Sequence, residues 1–414
     1  METQRPITSV DLFCGAGGLT LGLARSGISA VLASDNWDPA GSTFQANFED
    51  IPFLPADVGE LTPQDLRAKA GLDQPPTLIV GGPPCQGFSS AGARRGQDRR
   101  NGLVAVFARL IAETMPAGFV FENVEGFLTM SEGDFVVDLL DPLIEAGYWI
   151  DMRKVNVANY GVPQLRKRVI AVGMLGCPPD FPAPTHRAWG APGVHRVGVP
   201  DLPATPSFEE ALADLPRASS ESPGTPAGHF ARRLNELDSA RVAALLPGQT
   251  MRDLPPEFHH ASYSRRANRR VADGMPTEKR GGAPAGLRRL RADEPSKAIT
   301  SAAPREFIHP SEDRALTLRE CARLQTFPDS FEFSGNFSEK ATLIGNAVPP
   351  QFAEVIGRTV AAMLRDGQQP AKSAGRLVAF EATVAEGKSP ALQLVTNRVL
   401  ARYSLAPTLV AESD

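Results

Sequence analysis

The sequence predicts an α/β protein: a Rossmann-like, doubly wound, mostly parallel sheet, interrupted by a smaller, loop-rich second domain. Three observations lead there. Short apolar runs alternate with helical stretches as far as Leu175, the pattern of strands joined by right-handed crossovers. A glycine-rich turn follows the first apolar run. Dense proline breaks the alternation after Cys177, and regular patterning resumes only near Leu316.

In order, Ile7–Phe13 (ITSVDLF) reads as a buried strand, and GLTLGLARSG as a helix that Gly27 closes. Ala30–Ser34 (AVLAS) is the next strand and PAGSTFQANF the next helix. TLIVGG is a strand, GLVAVFARLIAET an amphipathic helix, GFVFE a strand, FVVDLLDPLIEAG a helix and Arg168–Leu175 a late strand. CPPDFPAPTHRAWGAPG, VPDLPATP and ESPGTPAG are irregular chain. Regular structure returns at Leu316–Phe327 and in the helix that begins PPQFAEVIGRTVAAMLRDG. Residues 1–176 and 305–367 are therefore expected to form one domain around an insertion at 177–304, with 368–414 a separate, unassigned tail.

Composition bounds the class. Hydrophobic residues are 42% of the 414 and charged residues 22%, ordinary for a globular protein. No apolar run approaches the ~20 residues of a membrane helix, and METQRPITSV has no apolar signal core, so a cytoplasmic protein without membrane contact is expected. The four cysteines are widely spaced, without a Cys-x-x-Cys pair, and read as reduced thiols; no metal site is expected. Net charge is -4, which by itself argues against a polyanionic partner. Between Ala261 and Arg291, however, nine cations face only Asp273 and Glu278, so the stretch carries 9 - 2 = +7. Charge alone leaves two readings open, a polyanion footprint or a solvated arginine-rich loop.

DLFCGAGGLTLG (Asp11–Gly22) joins the first strand to the first helix. Glycines at 15, 17 and 18 let backbone approach a ligand beside an electropositive helix N-terminus. Asp35 follows Gly15 by twenty residues, where a carboxylate accepts from ribose hydroxyls. Trp37 suits stacking on an adenine, and Asp57 suits its amino group. Thr20 replaces the third glycine of the dinucleotide fingerprint, so a ligand-free structural turn stands as the alternative.

GGPPCQGFSS (Gly81–Ser90) sets Cys85 just past the carboxyl end of a strand, where open α/β sheets bind ligands. The proline pair stiffens the approach, and a thiol there is a candidate nucleophile. Glu122, in FENV, ends the next strand on the same edge and could serve as an acid. In GVPQLRKRV, Arg166 and Arg168 occupy alternate positions of an extended strand and are expected to point the same way, toward phosphate or carbonyl oxygens. Singly, each has a bland reading as a capping carboxylate or a surface pair.

Together these stretches resemble the DNA (cytosine-5)-methyltransferase family. DLFCGAGGLTLG, DNWDPA, ADV, GGPPCQGFS, ENV, YGVPQLRKR, HPSEDRALTLRECARLQTFPD and IGNAVPP resemble its motifs in order. Leu343 departs from the glutamine common before Ile-Gly-Asn, and Asp35 from the commoner glutamate. The resemblance implies a class I methyltransferase fold and transfer of a methyl group from S-adenosyl-L-methionine to C5 of cytosine, with S-adenosyl-L-homocysteine as product. It implies that Cys85 attacks C6, that Glu122 hydrogen-bonds N3 and the exocyclic amine, that Arg168 contacts O2, and that Arg166 supports Glu122 or a phosphate. Cofactor contacts would come from Phe13, Gly15, Ala16, Gly17, Gly18, Asp35, Asn36, Trp37, Asp57, Val58, Pro83, Asn346 and Val348.

By the same resemblance the cytosine is flipped out of double-stranded DNA. The loop after Cys85 would close over it, with Gln86, Ser89 and Arg100 at the DNA, and residues 177–304 would be the target-recognition domain. Arg265, Arg266, Arg269 and Arg270 are the candidate contacts there. The resemblance further implies a bacterial or phage-encoded, nucleoid-associated monomer, and leaves open a cognate restriction endonuclease as partner, a solitary methyltransferase or one from another defence system. RNA cytosine methylation, a nicotinamide or flavin oxidoreductase and a catalytically silent DNA-binding regulator are the competing functions. The Cys-Phe-Thr element typical of the RNA branch does not occur.

Overall fold

The protein is described by a computed structural model, in which residues 6–84, 102–187, 201–220, 226–259, 286–366, 374–382 and 389–405 are placed. Its centre is an eight-stranded sheet. In chain order the strands are β1 (Thr8–Leu12), β2 (Ser29–Ser34), β3 (Phe53–Leu54), β4 (Leu78–Gly81), β5 (Gly118–Val124), β6 (Tyr148–Asn156), β8 (Lys167–Leu175) and β12 (Arg376–Glu381), with a two-residue β7 at Gln164–Leu165 outside the sheet. The sheet order is β12-β6-β8-β5-β4-β1-β2-β3. Only β8 runs antiparallel to its neighbours, β5 and β6; the remaining pairings are parallel.

The central strands are buried on both faces, which is why they read as unbroken apolar runs. One face packs beneath α3 (Pro63–Ala70), α4 (Leu103–Thr114) and α5 (Asp134–Glu145). Beneath the other face lies α1 (Gly18–Arg25), with α2 (Asp38–Asn47) at the sheet's edge. Two elements escaped the sequence pattern. β6 carries Asp151, Arg153 and Lys154 inside its run, which hides its strand character. The buried Asp151 is compensated within the strand by Arg153, whose Nε and Nη2 donate at 2.8 and 2.7 Å. Helix α3 is short and mostly polar, yet bears a Thr62–Asp65 capping box and a left-handed Gly71 at its end.

Past Leu175 the chain is largely irregular, with short α6 (Phe208–Leu212) and α7 (Glu236–Ala244). Paired segments follow: β9 (Arg288–Arg289) with β11 (Phe307–Ile308), and β10 (Ser296–Lys297) with β7. Val242, Leu245, Met251, Leu254, Leu287 and Ile308 make a small core of their own. The chain then forms α8 (Ala303–Glu306), α9 (Leu318–Leu324), α10 (Phe337–Asn346) and α11 (Pro350–Arg365). Helix α11 lies so close to α1 that a Cβ on Gly22 would meet the Pro350 carbonyl at 2.3 Å.

The expected separate tail is different in the structure. β12 pairs parallel with β6 and makes the sheet's edge. Helix α12 (Pro390–Arg402) places Leu392, Val395 and Val399 in the same core as α4 and α5. Alternation of the last apolar residues is too brief to reveal this from sequence. Among the described residues no helix is long and apolar enough to cross a membrane, and no cluster of residues suits a metal ion.

Candidate active site

The carboxyl ends of β1, β2, β4 and β5 meet α10 around a cavity of about 260 Å³. After β1 the chain turns through Phe13 (φ 60°), Gly15 (φ 54°) and Gly17 (φ 86°) into α1. The three glycines differ in what they accommodate. A Cβ on Gly15 would meet nothing within 4 Å, so this glycine opens onto the cavity. A Cβ on Gly17 would lie 2.5 Å from the Phe48 ring, and one on Gly18 would lie 2.2 Å from the Val348 carbonyl. Packing alone therefore requires glycine at 17 and 18, and neither is among the residues that line the cavity.

Asp35 locks this turn. One carboxylate oxygen accepts from the Gly15 amide and the other from the Trp37 amide, both at 3.0 Å. Burial raises its pKa against those bonds. Phe13, Gly15, Ala16, Asp35, Asn36, Trp37, Asp57, Val58, Asn346 and Val348, all singled out from sequence, line the cavity. Leu343 lines it too. Pro83 does not, although its neighbours Gly82 and Pro84 do; its carbonyl instead accepts from Asn123 Nδ2 at 2.8 Å.

Asp11 was missed. It is 1% exposed and lines the cavity floor. Thr20 Oγ1 donates to its Oδ2 at 2.6 Å, which gives the residue in the third-glycine position a job. The other oxygen has no partner among the described residues. Burial and, to a lesser degree, Asp35 push the carboxyl up to about 7. A lone carboxylate in the apolar run ITSVDLF was the available signal.

At the opposite end of the cavity stands Glu122, 8% exposed. β5 and β8 run antiparallel, with Val124 opposite Arg168 and Glu122 opposite Ile170. That register lets Arg168 Nε approach Glu122 Oε1 to 2.7 Å. Burial lowers the Arg168 pKa, and the Glu122 carboxylate opposes it. Asn123, also unassigned from sequence, ties the end of β5 to the β4 exit through Pro83. Cys85, Gln86, Ser89 and Arg100 follow that exit and lie outside the described residues.

Arg166 is a correction. It does not point with Arg168, because the chain kinks between β7 and β8, where the Arg166 amide donates to the Gln164 carbonyl at 3.1 Å. Its side chain is 1% exposed and donates to the carbonyls of Ile299, Gly345 and Ala347 at 2.6, 2.8 and 3.2 Å. A guanidinium so enclosed reaches no phosphate; the direct ion pair to Glu122 comes from Arg168, while the Arg166 charge is still felt by Glu122 through space. Gln164 completes the knot: its Oε1 accepts from the Ile299 amide at 2.9 Å, and its Nε2 donates to Gln325 at 2.7 Å.

Arg265, Arg266, Arg269 and Arg270 fall outside the described residues. Of the other cations counted in that stretch, Arg289 is internal. It is 5% exposed, ion-paired with Asp313 at 2.5 Å and bonded to the Val242 and His309 carbonyls. Arg291 pairs with Asp293 and Glu294. Neither is free for a polyanion, so the local excess charge is smaller than the sequence count.

Residues 7–362 match the family described as C-5 cytosine-specific DNA methylase. The chain is 30% identical to the type II methyltransferase M.AgeI of Thalassovita gelatinovora, over 85% of its own length and 98% of that protein's. To the type II methyltransferase M.XorII of Xanthomonas oryzae pv. oryzae it is 33% identical, over 87% and 86%. Among solved structures, a prophage-encoded protein of E. coli assigned as a DNA modification methyltransferase aligns with TM-score 0.64 at 25% identity, covering 86% of this chain and 99% of that one. S. pombe Dnmt2 methyltransferase shares the fold, with TM-score 0.52 at 17% identity, over 88% of this chain and all of that one.

Proposed function

The chain belongs to the C-5 cytosine-specific DNA methylase family and is a DNA (cytosine-5)-methyltransferase; we propose that it methylates one flipped-out cytosine within a specific duplex sequence, through a covalent bond between Cys85 and C6. The observation that carries this reading is Glu122, which lines the cavity beside the exit of β4 and is ion-paired with Arg168.

S-adenosylmethionine suits the cavity's donors. Gly15 leaves room at the backbone, and Asp35 and Asp57 are acceptors beside the Trp37 ring. The unpartnered oxygen of Asp11 suits an ammonium group. When bound, this cofactor supplies an electrophilic methyl group. Asp35 would hold the ribose hydroxyls, Trp37 and Phe13 would hold the adenine, Asp57 would accept from its amine, and Asn346 and Val348 would close the wall.

Cytosine C5 is a poor nucleophile. Addition of the Cys85 thiolate to C6 breaks the ring's aromaticity and places an electron pair at C5, which takes the methyl group. As charge develops at N3, Glu122 in its protonated form donates to N3 and its other oxygen accepts from the exocyclic amine, while Arg168 fixes that carboxyl group and contacts O2. Loss of the C5 proton and elimination of the thiolate restore the ring and the enzyme. Residues 177–304 serve as the target-recognition domain, with Arg265, Arg266, Arg269 and Arg270 on DNA. Gln86, Ser89 and Arg100 flank the flipped base.

The type II relatives support a modification enzyme paired with a restriction endonuclease of the same site. Tritium transfer from labelled S-adenosylmethionine tests the reading. Label should enter duplex DNA at cytosine C5. Label in tRNA alone would favour the RNA reading, and label in neither a silent regulator.

A further inference from the structure

The match to the family ends at residue 362, so β12 and α12 lie beyond it. Helix α12 sits on the segment that leads away from Glu122. β5 ends at Val124, and Glu125–Gly133 then runs as a 3-10 segment into α5. Its last three residues, Ser131, Glu132 and Gly133, all have positive φ, at 45°, 55° and 88°. Positive φ at two successive non-glycine residues is strained, and such a turn persists only where its surroundings hold it.

The holder is α12. A Cβ on Gly133 would come within 2.9 Å of Val395 Cγ1, so the helix rests directly on the turn. Arg398 donates from Nη1 to the Glu132 carbonyl at 2.9 Å and from Nη2 to Asp134 at 2.8 Å. One guanidinium thus grips the turn and the first residue of α5 together. Beneath it, Val395 and Val399 share a core with Phe127 and Leu128. Phe127 in turn packs on Phe121, ring centres 5.0 Å apart, immediately before Glu122. A short run of rigid contacts therefore joins α12 to the strand that presents Glu122 and Asn123.

We propose that Arg398 is a positioning residue for methyl transfer: by fixing the turn at Ser131–Gly133 it sets the placement of Glu122, and the strand–helix unit after residue 373 is a working part of the enzyme. This rests on the methyltransferase reading above. The pull on Glu122 passes through its own strand and not through the cofactor wall, so its loss should appear in turnover and leave cofactor affinity alone.

Arg402 provides the control. It lies one turn further along α12 and pairs with Asp141, away from the strained turn. Single-turnover methylation of duplex DNA at saturating cofactor, S-adenosylmethionine affinity by calorimetry and the unfolding midpoint are measured for wild type, Arg398→Ala, Arg398→Lys and Arg402→Ala. Arg398→Ala should slow transfer about tenfold, since displacements below an ångström remote from the chemistry reach such sizes. Its cofactor affinity should stay within about twofold, Arg398→Lys should recover part of the rate, and Arg402→Ala should turn over normally. Normal transfer by Arg398→Ala, equal loss in Arg402→Ala, or affinity falling in step with rate would overturn the proposal. A wild-type chain that labels no DNA would overturn the parent reading instead, and this proposal with it.

Discussion

Arg168 Nε stands 2.7 Å from Glu122 Oε1, with both side chains nearly enclosed, at 14% and 11% exposed. A buried pair of this kind is costly to break singly, because the survivor is left charged without compensation. Glu122→Gln should slow methyl transfer by ~10²–10⁴-fold, with cofactor affinity little changed. Arg168→Ala should slow it too, and the double variant should lose less than the two losses combined. Rates that multiply would mean that the two residues act independently.

Cys85 can be probed by trapping. DNA carrying 5-fluorocytosine at the target has no C5 proton to lose, so the covalent adduct should persist and shift in a denaturing gel. Cys85→Ser should form none. A stable adduct in that variant would move the nucleophile elsewhere.

Asp11 makes a pH-dependent prediction. Its carboxyl sits at about 7 in the folded chain, against 3.8 for an ordinary aspartate. The folded state therefore binds this proton more tightly than the unfolded state. Stability from this group is fullest below about pH 4 and drains away as pH rises toward 7, by at most about 4 kcal/mol. Without cofactor, Asp11→Asn should raise the melting temperature near pH 8 and leave it unchanged near pH 4. It should also weaken S-adenosylmethionine binding. A variant less stable than wild type at pH 8 would contradict the burial origin of the shift.

Arg166 should govern stability. Arg166→Ala strips the donor from three buried carbonyls, each worth ~1–3 kcal/mol when left unpaired. We expect a loss of at least about 3 kcal/mol in urea unfolding. An unchanged midpoint would show that water replaces the guanidinium at no cost.

The basic stretch divides into two behaviours. Arg265→Ala, Arg266→Ala, Arg269→Ala and Arg270→Ala should each either flatten the salt dependence of DNA binding by about one unit or relax specificity at one base pair. Arg289→Ala should do neither and should lower stability, because that side chain is bonded inside the protein. Four DNA-neutral variants would mark the stretch as solvated loop.

Much of this was legible in sequence where one residue type answers one need. Strands buried on both faces announce themselves as apolar runs, and Asp35, Trp37 and Asn346 sit at strand and helix ends that spacing can locate. β6 stayed hidden because its compensation, Asp151 with Arg153, looks like surface charge until the fold pairs it. Arg166 misled because alternation assumes a straight strand and the chain kinks there. Asp11 escaped although it stands alone in an apolar run, because that signal does not say what the carboxyl faces. The packing need at Gly17 and Gly18 was not legible, because their neighbours Phe48 and Val348 come from other parts of the chain.

The contact between Gly18 and Val348 spans 330 residues of chain, and both adjoin the cavity's wall. Loop closure over such a length is slow to pay back, so the wall is among the last features to form. A ligand bound only to the finished wall acts as a clamp on the whole chain, adding about 2.7 kcal/mol at a hundred times its dissociation constant. With S-adenosylmethionine as the proposed ligand, survival of this protein in a cell should follow methyl-donor supply. Starved of donor it should be cut faster by proteases, and limited proteolysis with and without S-adenosylhomocysteine measures that coupling directly.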